Sequence, residues 1–255
     1  LMTLYQLGKR ILDLLGLLAP AARMKQRWKF FSHRMSYRLL LLTKSPAGYL
    51  RYYDKTYAQL LTGNIKVHGV AVERYASFRI VFEEILRRKN RDFTIVETGC
   101  AHGGGWCHGS SSFLFFEFLN VFGGKLVSID IDPPHLAACA KLLETVRPRS
   151  GRAQFAPMAG DSVSILKSIP EPADFVYLDS WDLDPQDPEP SMRPHLAEFK
   201  AAKDIFVRSP DLIVSMDYNL KSLDIGKGKY VREWAQQSRA DVLIDGYKLV
   251  LRLTS

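Results

Sequence analysis

The stretch that most constrains this 255-residue chain is Phe93-Thr-Ile-Val-Glu-Thr-Gly-Cys-Ala-His-Gly-Gly-Gly105. An apolar, β-branched run from Phe93 to Val96 ends in an acid, Glu97, and then in Gly99, with Gly103, Gly104 and Gly105 close behind. That order reads as a buried strand whose C-terminal end enters a tight loop near a ligand. Glycine suits such a loop because it accepts positive φ and has no Cβ to obstruct close approach.

From there, strands and helices alternate. Strands are expected at Thr94–Glu97, Lys125–Asp130, Ala153–Pro157, Asp174–Asp179 and Leu212–Met216. Helices are expected between them at Ser111–Asn120, His135–Val146, Ser162–Ile169 and Ser191–Phe206, with another at Lys229–Ser238. Short apolar strands alternating with helices imply an α/β architecture, a parallel sheet covered on both faces. Asp245-Gly246 separates two apolar runs, Asp241–Ile244 and Tyr247–Leu253, and predicts that the sheet ends in an antiparallel hairpin. Upstream, a helix is expected at Leu50–Leu61, then a loop marked by Thr62-Gly63-Asn64, then a helix at Val72–Arg88.

Composition matters mainly through charge. The chain carries +8, but residues 1–60 alone hold eleven Lys and Arg against Asp13 and Asp54, which leaves the remainder close to neutral. Leu4, Leu7, Ile11, Leu14, Leu15 and Leu18 recur at helical spacing, and a basic helical stretch follows at Met24–Leu42. The expected organisation is therefore a basic helical extension over 1–70 and a second domain over 71–255. The extension reads first as a helical cap or dimer arm and second as an amphipathic element on an anionic membrane surface. Three cysteines without framework spacing argue against a disulfide scaffold and for a reducing, cytoplasmic setting.

The glycine loop lacks the Gly-Lys-Ser/Thr of a phosphate loop, and its spacing is wrong for Gly-x-Gly-x-x-Gly. What remains, Glu97-x-Gly99-x-x-x-Gly103, resembles the first motif of class I S-adenosylmethionine (SAM)-dependent methyltransferases. Asp130, about 30 residues on and at a strand end, matches the acid that in this family holds the ribose hydroxyls. Asp161 and Ser162, after the third strand, match the adenine-side position; the same pair could also cap a helix. Asp174-Phe-Val-Tyr-Leu-Asp179-Ser-Trp-Asp182 narrows the resemblance to catechol O-methyltransferase-like and sugar or macrolide O-methyltransferases. There the Asp179 position holds a divalent cation beside the SAM site, and Asp182 stands where many members keep a Lys or His base.

The resemblance covers Phe93 to Leu253. It implies a Rossmann-like sheet of seven strands in the order 3-2-1-4-5-7-6, strand 7 antiparallel. It implies SAM contacts from Glu97, Gly99, Gly103, Ser110, Asp130, Asp161, Ser162 and Asp179. It also implies a Mg²⁺ site of Asp179 and Asp217 joined by Asn219, although the family's adjacent ligand is here Tyr218. Catalytic candidates are Asp182, Asp179 and His195, the last with a packed histidine as the plainer reading. Cys100, His102, Cys107 and His108 crowd one loop and lack zinc-site spacing. The basic loop of Lys221, Lys227, Lys229 and Arg232, around Gly226 and Gly228, could meet an anionic substrate group or simply be solvated.

The expected activity is methyl transfer from SAM to a hydroxyl of a small molecule or saccharide. The alternatives are N-methylation of RNA or a polyamine, and SAM binding without catalysis. Expected partners are the acceptor, a second copy of the chain and a membrane surface met through the N-terminal helices. Nothing in the sequence signals nucleic acid strongly.

Overall fold

The computed structural model describes residues 37–67, 70–89, 91–101, 110–145, 151–206, 209, 211–218, 220 and 223–254. The chain divides into two compact units, 1–43 and 44–255. Of the first, only a helix over 37–43 is described. The helix expected over 1–19 and most of the basic stretch at Met24–Leu42 lie outside the described residues. Among the described residues no helix is long and apolar enough to cross a membrane.

The second unit opens with α1 (Pro46–Leu61), started by the Ser45 hydroxyl accepting from the Gly48 N–H at 3.1 Å. A two-stranded antiparallel hairpin follows, β1 (Thr62–Val67) with β2 (Val70–Glu73), before α2 (Tyr75–Arg88). This corrects the expected loop and the helix start at Val72. Ile65–Val67 and Val70–Val72 flank the two residues His68-Gly69, a hairpin spacing that the Thr62-Gly63-Asn64 turn signal obscured.

The remaining elements are β3 (Phe93–Thr98), α3 (Ser110–Phe122), β4 (Gly124–Asp130), α4 (Pro133–Glu144), β5 (Ala153–Ala159), α5 (Ser162–Ser168), β6 (Phe175–Leu178), α6 (Glu189–Phe206), β7 (Leu212–Asp217), α7 (Lys229–Ser238), β8 (Asp241–Asp245) and β9 (Lys248–Leu253). The sheet runs β5-β4-β3-β6-β7-β9-β8. Strands β5 to β7 are parallel, and β9 is antiparallel to both neighbours. This is the 3-2-1-4-5-7-6 order of the Rossmann-like methyltransferase-type sheet. Strand order reverses between β3 and β6, because the chain builds outward from β3 on one side and then returns to its other edge.

The two faces of the sheet are packed differently. On one face α1, α2 and α3 build an aromatic layer. Phe82 stacks on Phe118 at 4.9 Å between ring centroids, Tyr49 meets both edge-on, and Phe118 covers Phe93 of β3 at 5.0 Å. On the other face an aliphatic cluster joins Val96, Ile129 and Val214 of the sheet to Leu166 of α5, Phe199 and Ile205 of α6, and Val231 of α7. Continuous apolar strands such as Leu212–Met216 are needed because both faces are covered.

One acid sits inside the aromatic layer. Glu117 of α3 accepts hydrogen bonds from the hydroxyls of Tyr52, at 2.7 Å, and Tyr57, both on α1. Burial pushes the Glu117 carboxyl up from 4.5 to about 7, against the two tyrosine hydrogen bonds. A raised acid binds its proton more tightly folded than unfolded. Stability is therefore full below about pH 4.5 and falls as pH rises to about 7, by about 3 kcal/mol in all. Glu117→Gln keeps a hydrogen-bonding group there. Chemical denaturation from pH 4.5 to 8 should show the wild-type loss across this window and a flatter profile for the variant.

Candidate active site

The C-terminal ends of β3, β4 and β6 converge at Gly99, whose φ is +73°. Its N–H donates to the Ile129 carbonyl at 2.8 Å, and a Cβ there would stand 2.4 Å from the Asp179 carbonyl oxygen. Glycine is thus demanded by the meeting of strands as well as by any ligand. Asp130 ends β4 beside this turn. Its Oδ2 accepts from the Cys100 N–H at 3.3 Å, and its Oδ1 accepts from the Asp132 N–H at 2.9 Å. Two longer contacts complete its surroundings: the Cys100 thiol donates to Oδ2 at 3.6 Å, and His135 Nδ1 lies 3.4 Å from Oδ1.

The Gly160 N–H donates to the Asp130 carbonyl at 3.0 Å, which brings the β5 end to the same edge. Asp161 caps α5 through Oδ1, with the Ser164 N–H at 2.9 Å, and these serine hydrogen bonds lower its carboxyl. Its Oδ2 is left over. Asp132 leads into α4, which starts at Pro133, two residues before the expected His135, with the proline pair at its first helical positions.

Glu97, expected to touch the cofactor, is fully buried. Its Oε1 accepts from the hydroxyls of Ser112, at 2.7 Å, and Ser128, which is its register partner on β4. Burial holds this carboxyl well above the usual range. The Ser112 hydroxyl in turn accepts from the Ala101 N–H at 3.1 Å. Glu97 therefore acts on the glycine loop through Ser112, and Ser112 serves the loop instead of capping α3. Gly103, His102, Cys107 and His108 lie outside the described residues, as does the side chain of Ser110.

The other side of the edge is built from charge. Thr98 passes the end of β3 to β6: its Oγ1 accepts from the Asp179 N–H at 3.1 Å and donates to Glu198 of α6 at 3.2 Å. Asp179 Oδ1 accepts from Lys227 Nζ at 2.6 Å, and its Oδ2 lies 3.0 Å from the Tyr177 hydroxyl. Asp217, ending β7, accepts from Arg74 Nη2 at 2.8 Å on Oδ2 and from Lys248 on Oδ1. Lys248 is its antiparallel register partner on β9, and also donates to the Tyr177 hydroxyl at 2.6 Å.

These contacts set the protonation states. Burial opposes charge on Asp217, yet Arg74 and Lys248 hold its carboxyl well below the usual range. Lys248 is brought down to about 8 by burial, against the pull of Asp217. Burial also opposes the charge of Lys227, but Asp179 and Asp217 raise it overall.

Asp179 and Asp217, expected as Mg²⁺ ligands, are thus neutralised by three protein cations. Each carboxylate already carries a protein ammonium on its Oδ1, so a dication would have to displace Lys227 and Lys248 or add its charge beside theirs. As arranged, these residues do not fit a divalent metal. Among the described residues no cluster of three His, Cys, Asp or Glu could hold one either. Asn219 lies outside them.

Asp182 is exposed, three residues beyond Asp179, and close enough to Lys227 to add to its stabilisation. His195 of α6 is fully buried. Its Nδ1 lies 2.8 Å from the Ser191 carbonyl, which can only accept, so Nδ1 carries the proton and Nε2 bears the lone pair. Burial and then Lys227 bring the ring down to about 4, so it stays neutral at ordinary pH. The packed reading of His195 therefore describes it, although it lies within electrostatic reach of Asp179.

Sequence reasoning missed Arg74, Tyr177, Glu198 and Lys248, and saw Lys227 only as part of a basic loop, either substrate-facing or solvated. Lys248 had a signal: it is a lysine at the head of an apolar hairpin strand, whose antiparallel pairing sets it opposite Asp217. Arg74 had none, since its partner lies 143 residues away.

No protein-family model matches the chain, and no curated protein matches it. Among solved structures it is similar to MycE methyltransferase of the mycinamycin biosynthetic pathway, in complex with Mg, SAH and mycinamycin VI. The TM-score is 0.48 at 12% identity, over 78% of this chain and 53% of that one. The present chain thus spans about half the length of MycE. It is also similar to an rRNA methylase from Streptococcus thermophilus (TM-score 0.41, 13% identity, 68% and 93% coverage). A ribosomal protein methylase from Lactobacillus delbrueckii subsp. bulgaricus is a third (TM-score 0.40, 12% identity, 72% and 81% coverage).

Proposed function

We propose that this protein is a SAM-dependent methyltransferase acting on a hydroxyl oxygen of a small molecule or saccharide. One juxtaposition carries the reading. At the point where strand order reverses, the Gly99 turn and Asp130 stand at the ends of β3 and β4, and Asp179 with Lys227 stands at the end of β6. Ligands of open α/β sheets bind in such a crevice.

The donor half fits SAM in three respects. The Asp130 side chain is only 9% exposed, and two vicinal hydroxyls would take the places of its two long contacts, with the Cys100 thiol and His135. Gly99 presents no side chain to a close ligand. The N-terminus of α3, at Ser110, begins just beyond the glycine loop and favours a carboxylate.

When bound, SAM supplies a sulfonium methyl, whose C–S pair returns to sulfur as an acceptor lone pair forms the new C–O bond. The chain aligns the acceptor oxygen and removes its proton, and alignment supplies most of the acceleration. Asp179 orients the acceptor, and Asp182 takes the proton. Asp182 is suited to this because methylation makes the hydroxyl proton far more acidic than it is in the free acceptor. Trp181, half exposed and two residues past Asp179, and Leu223, 65% exposed in the loop before Lys227, offer apolar surface to a sugar ring face.

Three measurements check this reading. Isothermal titration with S-adenosylhomocysteine should give saturable binding that Asp130→Ala weakens by roughly 10- to 100-fold, as loss of a bidentate charged acceptor implies. Label should pass from methyl-labelled SAM into cell extract, and no transfer at any protein concentration would refute an enzymatic role. Asp182→Asn should cut turnover by about 100-fold with binding of S-adenosylhomocysteine unchanged; full activity would remove Asp182 as the base.

A further inference from the structure

We propose that the Lys227 ammonium holds the place of a divalent ion in the acceptor site, so that this chain transfers methyl groups without a metal and binds the acceptor oxygen through Lys227. The inference rests on the methyltransferase reading above and concerns the acceptor half of that same site.

Lys227 is delivered by a loop folded tightly onto the end of β7. The Gly228 N–H donates to the Asp217 carbonyl at 3.1 Å, and Lys229 N–H donates to Gly226 at 3.0 Å. Leu220 and Ile225 exchange backbone hydrogen bonds at 3.0 and 3.3 Å. The Tyr218 hydroxyl donates to Asp224 at 2.7 Å. Gly226, at φ +156°, closes the loop, and a Cβ there would fall 1.7 Å from the Tyr218 carbonyl oxygen. The described residues on both sides of the lysine, from Asp224 to Lys229, are thus committed to their positions, and Lys227 is a placed group, not a solvated side chain. Its side chain is only 6% exposed, so the solvated reading of the basic loop does not describe this residue.

The ammonium has three N–H donors and spends one on Asp179 Oδ1 at 2.6 Å. The other two meet no acceptor among the described residues. An acceptor hydroxyl brought beside Asp179 would receive one of them. A neighbouring cation lowers the pKa of a bound hydroxyl, which is what a dication does in metal-assisted transfer. The proton then leaves to Asp182, and Lys227 keeps its own protons throughout. Arg74 and Lys248, on Asp217, complete the positive side of the cluster and oppose the entry of a second cation.

Titration calorimetry of the full chain with Mg²⁺, with and without S-adenosylhomocysteine, tests this independently of the acceptor. The wild type should show no saturable Mg²⁺ binding. Lys227→Ser, which frees Asp179 and lowers the local charge by one, should bind Mg²⁺ at least roughly tenfold more tightly. Lys227→Arg should stay metal-free, and Lys227→Gln replaces the serine variant should that one fail to fold. Label transfer from SAM into extract should persist in EDTA. Saturable wild-type binding that Asp179→Asn abolishes would overturn the proposal, as would EDTA-sensitive transfer restored by Mg²⁺. Unchanged Mg²⁺ affinity in a folded lysine-deleted variant would overturn it as well. Failure of S-adenosylhomocysteine to bind would instead sink the methyltransferase reading and leave the Mg²⁺ result standing.

Discussion

The ligand edge of this protein depends on an approach between backbones that only a missing side chain permits. The Asp179 carbonyl lies where any Cβ on residue 99 would be. Because Gly99 yields that space, β3 and β6 can end side by side at the reversal of strand order. Thr98 then fixes Asp179, whose N–H donates to both the Thr98 carbonyl and the Thr98 hydroxyl. Gly99 and Asp130 on one side and Asp179 with Lys227 on the other meet at this contact. A longer side chain at 99 would separate the halves before it touched a ligand.

Around that edge the chain accepts a cost that its core avoids. Asp217, Lys248 and Tyr177 are buried charged or polar groups, and each is tolerable only because the others neutralise or hydrogen-bond it. Lys248 also lies over the rings of Tyr177, at 4.2 Å, and Phe78, at 4.7 Å, so the aromatic layer takes up part of its charge. A buried pair of this kind adds little to stability compared with an apolar substitute. What it does is pin β9 to β7 in one register, since a slip by one residue would turn Lys248 to the other face and leave Asp217 with Arg74 alone.

Much of the fold was legible because each strand is a short apolar run bounded by turn residues, and the hairpin at Asp245-Gly246 announced its own direction. The first hairpin was not, because Gly63-Asn64 carries a turn signal inside what is in fact a strand. The strand-end residues Gly99, Asp130 and Asp161 were legible as a group, since each is the last group of a strand or the first of the loop after it. Asp179 and Asp217 read in the sequence as a metal pair because local motifs report carboxylates and not what neutralises them. The cations come from α2, the β7–α7 loop and β9, and only the folded sheet brings them to Asp179 and Asp217. Glu97 shows the converse: its place in the motif is as expected, but burial makes it a support for the loop and not a contact.

The hydrogen bond from Ala101 to Ser112 has a consequence for how such a site can change. It joins the last residue before the segment 102–109 to the helix that follows it, and Glu97 holds the pair from beneath. Both ends of that segment are therefore clamped at one point. Lengthening a loop between fixed ends costs only about 0.6 kcal/mol for each doubling of its length. A change in the length of 102–109 would therefore meet the same two anchors, one on each side of it, that tie the end of β3 to the start of α3.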